Sequence, residues 1–328
     1  MIALLRRVAL ASLLCLTSLA VAADAQQAKV QRLGILSADS PGPPGGRWTF
    51  RDIMHELGYT FGGNLLVDQR WAEGRNERFP SLAAELVALK PDVILADTTP
   101  AVIAAMRATA TIPIVILHVT DPVGSGLAAS LARPGGNVTG ATDFGFEMAE
   151  KSVDLMHVLV PKATRIAVLL GGDNPVEAFI LEANQNAAKA IGLTLLPIMA
   201  RSPEEYEEAF ALMAKKGAEA LIGGGAGAST ARNRDKLIEL AAKAKLPAMY
   251  GARNWVDAGG LLSYGQNRLQ KWRYAATYVD KVLKGAKPAD LPIEQPTTFD
   301  LVINLKTAKA LGLTIPQSLL LRATEVIQ

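Results

Sequence analysis

The chain has 328 residues, half of them hydrophobic and a fifth charged, with a formal net charge of +3. That length suits two domains of ordinary size, and a near-neutral balance without any block of like charge does not suggest a nucleic-acid partner. The single cysteine, Cys15, sits near the start, so the rest of the chain has no means of making a disulfide, a thiolate nucleophile or a Cys–metal site.

Arg6 and Arg7 precede an apolar run from Val8 to Ala20, and small residues then offer cleavage after Ala22 or Ala25. This is the pattern of an export signal, and the run falls short of the ~20 residues that span a bilayer. Lipid attachment at Cys15 would want a small residue before it, where Leu14 stands. Residues 1–25 are therefore expected to be removed, leaving a periplasmic protein. They hold Arg6, Arg7 and Asp24, so the remainder carries +2. No later stretch is apolar for long enough to cross a membrane.

Beyond the leader, the chain repeats itself. A strand at Leu33–Leu36 leads through a small-residue loop to a helix that closes at Glu56–Tyr59, and a second strand follows at Leu65–Asp68. A helix from Phe79 to Leu86 then runs into a strand at Pro91–Leu95, with a helix at Pro100–Ala108 and a strand at Ile112–Leu117 after it. From Arg165 the order returns. Ile166–Leu170, a helix closing at Ala190–Leu193, Thr194–Ile198, Tyr206–Met213 and Glu219–Gly223 match the first units, and the helix Arg232–Ala244 and strand Leu246–Tyr250 complete the set. The strands are continuous Val, Ile and Leu runs, as in parallel sheets covered on both faces. Alternation of strand and helix predicts an α/β fold of two doubly wound parallel-sheet lobes with a cleft between them.

The first lobe is expected over 31–142, with a turn and a strand at Arg133–Gly140 leaving for the second lobe at 143–262. The tail has no partner in the repeat. It reads as a helix at Leu269–Leu283, a Pro-rich connector, a strand at Thr298–Ile303 and a helix at Leu305–Leu311. Two placements are open. Either it recrosses the hinge, adding part of 263–296 to the first lobe and part of 297–328 to the second, or it extends one lobe. Several interlobe crossovers would restrict the lobes to opening and closing about one axis.

Ligands of doubly wound sheets sit at the carboxyl ends of strands. The candidate ligand-binding residues in the first lobe are therefore Ser37, Ser40, Thr98, Thr99, Thr120 and Asp121, and in the second Asp173, Asn174, Gly224, Gly225, Ala226 and Tyr250, with Tyr264 at the hinge. Most of these loops open helices, whose free N–H groups and positive ends suit an anionic group such as a carboxylate. Thr98 and Thr99 would add hydroxyl donors, and Asp121 would accept from an ammonium or hydroxyl group. The same residue types are also the preferred helix caps and turn formers.

Catalytic signals are sparse. Gly223–Ala228 matches a dinucleotide-binding glycine pattern with Ala in the last place, but the next strand ends without the acidic residue a ribose would need. Of the three histidines, only His118 stands at a strand end facing the cleft, where a hydrogen-bonded wall residue is the usual role. No two histidines share a helical turn, as metal binding would want, and no serine lies in a nucleophile elbow. The chain is read as a binding protein and not an enzyme, with no cofactor and no metal.

Several segments resemble a known family. They are Ala72-Glu73-Gly74, Thr111–Val115, Asp121-Pro122-Val123, Leu131–Gly140 with its Arg-Pro-Gly-Gly-Asn-Val-Thr-Gly core, Gly259–Gly265 and Asn304–Leu313. In order along the chain, they look like the signatures of the ABC transporter substrate-binding family that includes the tryptophan-binding TrpX-type proteins. The resemblance implies a periplasmic-binding-protein type I fold with three interlobe crossovers. It also implies delivery of a ligand to a membrane permease with its ATPase. The chain is expected to act as a monomer that captures a small polar or amphipathic ligand, such as an amino acid. The alternative is a sensing module that presents its closed form to a receptor or sensor kinase.

Overall fold

The structure, a computed structural model, describes residues 30–38, 40, 46–143, 145–172, 174, 177–223, 230 and 232–328. Residues 1–25, expected from the sequence to be an export signal, and the candidate residues Asp173, Gly224, Gly225 and Ala226 lie outside them. In chain order the first part holds β1 (Gln31–Ser37), α1 (Gly46–Glu56), β2 (Leu65–Trp71), α2 (Phe79–Ala88), β3 (Val93–Ala96), α3 (Thr99–Ala108), β4 (Ile114–Ile116) and β5 (Val138–Gly140). The second part holds α4 (Gly145–Leu159), β6 (Arg165–Leu170), α5 (Glu177–Ala190), β7 (Thr194–Met199), α6 (Tyr206–Lys215), β8 (Ala220–Gly223), α7 (Arg234–Lys243), β9 (Ala248–Tyr250), α8 (Arg253–Asp257) and β10 (Leu262–Gln266). The tail adds α9 (Arg268–Leu283), β11 (Phe299–Asn304), α10 (Leu305–Ala310), α11 (Gln317–Leu320) and β12 (Glu325–Ile327).

The strands form two sheets, ordered β2-β1-β3-β4-β5 and β12-β11-β10-β9-β8-β6-β7. The first five strands of each half therefore take the same order, β2-β1-β3-β4-β5 and β7-β6-β8-β9-β10, and the internal repeat is realised strand for strand. All pairings in the first sheet are parallel. The second sheet carries one antiparallel pair, β10 with β11 from Leu262↔Ile303 to Gln266↔Phe299. β11 enters from the other lobe and so runs against its neighbour.

Consecutive apolar residues divide between two covered faces, which explains the continuous Val, Ile and Leu runs. Leu33, Ile35, Val93, Leu95 and Val115 join one core, while Leu36, Ile94, Ile114 and Ile116 join the other. Helices α2 and α3 cover the second of these faces. The first is covered by α1 and by α9, whose Ala275, Ala276, Val279, Val282 and Leu283 fall at helical spacing on one buried stripe. The tail thus recrosses: α9 packs on the first sheet, while β11 and β12 extend the second.

Three crossovers lie side by side. The first and third are tied by Thr142 N donating to Glu294 O at 2.9 Å and Glu294 N to Gly140 O at 2.9 Å. The second meets the third through Asn267 N to Thr298 O at 3.2 Å, and the first through Gln266 Nε2 to Thr142 O at 3.4 Å. Among the described residues no helix is long and apolar enough to cross a membrane.

Candidate functional site

In each sheet the chain goes from its first strand to one side and returns on the other, so the crevice between β1 and β3, and that between β6 and β8, is a topological switch point. Both crevices are braced by a carboxylate. In the first lobe Asp97, after β3, accepts from the Ser37 hydroxyl at 2.5 Å and from Ala38 N at 3.0 Å. In the second, the buried Glu177 accepts from Gly171 N at 3.0 Å and Gly172 N at 2.6 Å. Amides expected to await an anion at these two loops are therefore held by the protein's own acids.

The other sequence candidates take these places. Thr98 is the N-cap of α3, its hydroxyl accepting from Ala101 N at 3.4 Å. Thr99 is fully buried, and its Oγ1 has no hydrogen-bond partner among the described residues. Thr120 is buried and bridges to Asp143 as a short parallel pairing. Asp121 adopts a left-handed backbone (φ 44°) and accepts from Gly124 N at 2.7 Å, which is a turn-forming role. Ser40 and Asn174 are half-buried, and the Asn174 carbonyl accepts from Glu177 N at 3.1 Å. Tyr250 is buried and stacked on Trp255, with ring centroids 4.6 Å apart; burial raises its hydroxyl pKa. Tyr264 is half-buried against Phe299 at 5.7 Å.

The structure adds a cluster that sequence spacing did not single out. His118 follows β4 and is exposed to solvent, with Lys271 and Asp143 close enough to act on its charge. Loss of bulk water and the nearby Lys271 push its pKa down to about 4, against the opposing pull of Asp143 and a hydrogen bond to the Asp97 backbone. The imidazole is thus neutral at physiological pH. Beside it, Lys271 Nζ lies 2.8 Å from Asp143 Oδ1, with side chains only 14% and 24% exposed. Lys271 occupies the first turn of α9, the end of a helix that disfavours a cation, so its position is explained by its partner and not by the helix. One residue before it, Gln270 Oε1 is buried without a partner among the described residues.

Asp143, Lys271 and His118 come from the first crossover, the start of α9 and the end of β4, and they meet where the lobes join. They present charge of both signs and a neutral ring within one small region. That arrangement suits a small solute bearing an anion and a cation together. Among the described residues no three His, Cys, Asp or Glu side chains are grouped to hold a metal.

Comparison with known proteins bears on the family and the fold. The family model described as ABC transporter substrate binding protein matches residues 45–327. The chain belongs to this family. It is 27% identical over 272 residues to a tyrosine-binding protein of Clostridioides difficile, covering 80% of this chain and 75% of that one. Among solved structures it is similar to a conserved domain protein from Vibrio cholerae, at 30% identity and a TM-score of 0.85, covering 91% of this chain and all of the other. It is likewise similar to an ABC domain from Streptococcus pneumonia in complex with L-Trp. That match has 29% identity and a TM-score of 0.83, covering 90% of this chain and 99% of the other. Members of the family are substrate-binding proteins, and the two-lobed fold is of the periplasmic-binding-protein type I.

Proposed function

We propose that this protein, exported and freed of residues 1–25, closes its lobes on a small amphipathic amino acid and delivers it to the permease of an ABC importer. The observation that carries this reading is the pairing of Asp143 and Lys271 beside neutral His118 at the lobe junction. A zwitterion matches such a floor, its carboxylate meeting Lys271 and its ammonium meeting Asp143. The tyrosine and L-Trp named for the two relatives fit the same chemistry. Thr98, Thr99 and Thr120 face the solute from the first lobe, and Asn174 faces it from the second. The hydroxyl of Thr99 is the strongest of these contacts, being buried and unpartnered among the described residues.

The test is calorimetric titration with the twenty L-amino acids, tryptamine and indole-3-propionate. Binding of an amino acid, lost when either its carboxylate or its ammonium is missing, is the expected outcome. Tight binding of an uncharged sugar or polyol, with no amino acid bound, would sink the reading.

A further inference from the structure

Where the second lobe meets the first, one side chain rests on a glycine. Gly74 closes the turn Ala72-Glu73-Gly74 after β2, with both Glu73 (φ 55°) and Gly74 (φ 71°) in the left-handed region. The turn is held firmly. Ala72 N donates to Ser37 O at 2.8 Å and Gly74 N to Ala38 O at 2.7 Å, fixing it to the end of β1. Glu73 Oε2 accepts from Arg78 Nη1 at 2.6 Å and Arg75 Nη2 at 3.0 Å, which drives its pKa down. Against this platform lies Arg232, from the second lobe between β8 and α7. A Cβ on Gly74 would stand 2.6 Å from Arg232 Cδ and 3.1 Å from its Nη1. The glycine is thus needed twice, for its backbone angle and for the space that the arginine stem fills. Among the described residues Arg232 makes no ion pair, so contact with Gly74 is what its position offers.

We propose that Arg232 is the positioning residue that latches the second lobe onto the first, with Gly74 as its seat, so that the contact stabilises the closed form around a bound solute. This rests on the reading that the lobes close on a solute, and it adds the residue pair that holds them shut. A Cβ at Gly74 pushes aside a flexible side chain and not backbone. Gly74→Ala therefore removes the latch as Arg232→Ala does, without barring closure.

The experiment places spin labels on the exposed Ala84 of α2 and Ala211 of α6 by cysteine substitution in a chain produced without residues 1–25, which has no other thiol. Interlobe distances are measured in the free protein and with L-tryptophan or L-tyrosine. Arg232→Ala and Gly74→Ala should each reduce the short-distance fraction several-fold, and the double variant should reduce it no further than either single. Gly192→Ala controls for backbone strain, since Gly192 has a similar φ of 75° with nothing within 4 Å of its Cβ position; it should match the parent. For a bound amino acid the latch variants should raise the dissociation rate several-fold at an unchanged association rate. The proposal is overturned if the two single variants match the parent, if their effects add, or if the parent shows one unchanging long distance throughout. If neither amino acid binds but the free protein shows the latch-dependent short distance, the ligand assignment fails and the latch stands.

Discussion

Lys271 Nζ lies 2.8 Å from Asp143 Oδ1, joining the first crossover to the helix that follows the second. Both side chains are largely withdrawn from water, so removing one leaves the other charge without compensation. Lys271→Met should lower stability by about 2–3 kcal/mol and weaken amino-acid binding by roughly tenfold to a hundredfold. Combining it with Asp143→Leu should restore much of the stability but not the binding. Denaturant unfolding and calorimetry on the same samples separate the two effects, and recovery of binding in the double variant would remove the pair from the site.

His118 predicts a pH dependence whose sign is fixed. Its folded pKa of about 4 lies below the ordinary value of 6.5, so between these limits the unfolded chain holds the extra proton. Stability should therefore decline as pH falls from about 6.5 towards about 4, and His118→Gln should flatten that slope. Melting temperatures across this range check it; identical slopes in the two proteins would refute the depressed pKa.

Thr99 and Asp121 were both legible in the sequence as strand-end polar residues, and the structure separates them. Thr99→Val keeps the β-branched shape and removes a buried hydroxyl that has no partner among the described residues. It should leave the melting temperature unchanged or raised while weakening binding about threefold to tenfold. Asp121→Asn keeps an oxygen for Gly124 N and tolerates the left-handed backbone, so neither stability nor affinity should change much. Thermal unfolding and titration of both variants decide. Normal binding by Thr99→Val would show that its hydroxyl lies outside the site.

At the hinge, the Tyr278 hydroxyl lies 2.5 Å from Pro292 O and 3.0 Å from Glu294 Oε1, just before the third crossover. Tyr278→Phe should cost about 1–2 kcal/mol of stability. Urea unfolding measures this, and a loss below about 0.5 kcal/mol would mean that the hydroxyl does not anchor the connector.

The leader makes a simpler prediction. Intact mass of the protein recovered from the periplasm should correspond to cleavage after Ala22 or Ala25. Recovery of the uncleaved chain in the membrane fraction would contradict export by signal removal.

Most of the α/β order was readable because parallel strands buried on both faces are long apolar runs, as at Leu33–Leu36 and Ile166–Leu170. The strands β10 and β12 were not. β10 overlaps the Gly259–Gly265 segment, whose three glycines break up the apolar run that marks the other strands. β12 is three residues whose pairing with β11 depends on contacts made elsewhere. The functional reading shows the same divide. His118 announced itself as a strand-end residue at the cleft. Asp143 and Lys271 read as ordinary charges, because their meeting depends on crossovers far apart in the chain. A lysine in the first turn of α9, against the helix dipole, was the available hint.

The placement of α9 also sets an order of events as the chain is made and, in the export proposed above, threaded through a membrane N-terminus first. Until residues 268–283 emerge, Leu33, Ile35, Val93, Leu95 and Val115 lack one of the helices that cover them. The first half of the polypeptide must wait for its last fifth before its hydrophobic surface is closed. Under that proposed export, the first lobe completes its core only after most of the chain has passed.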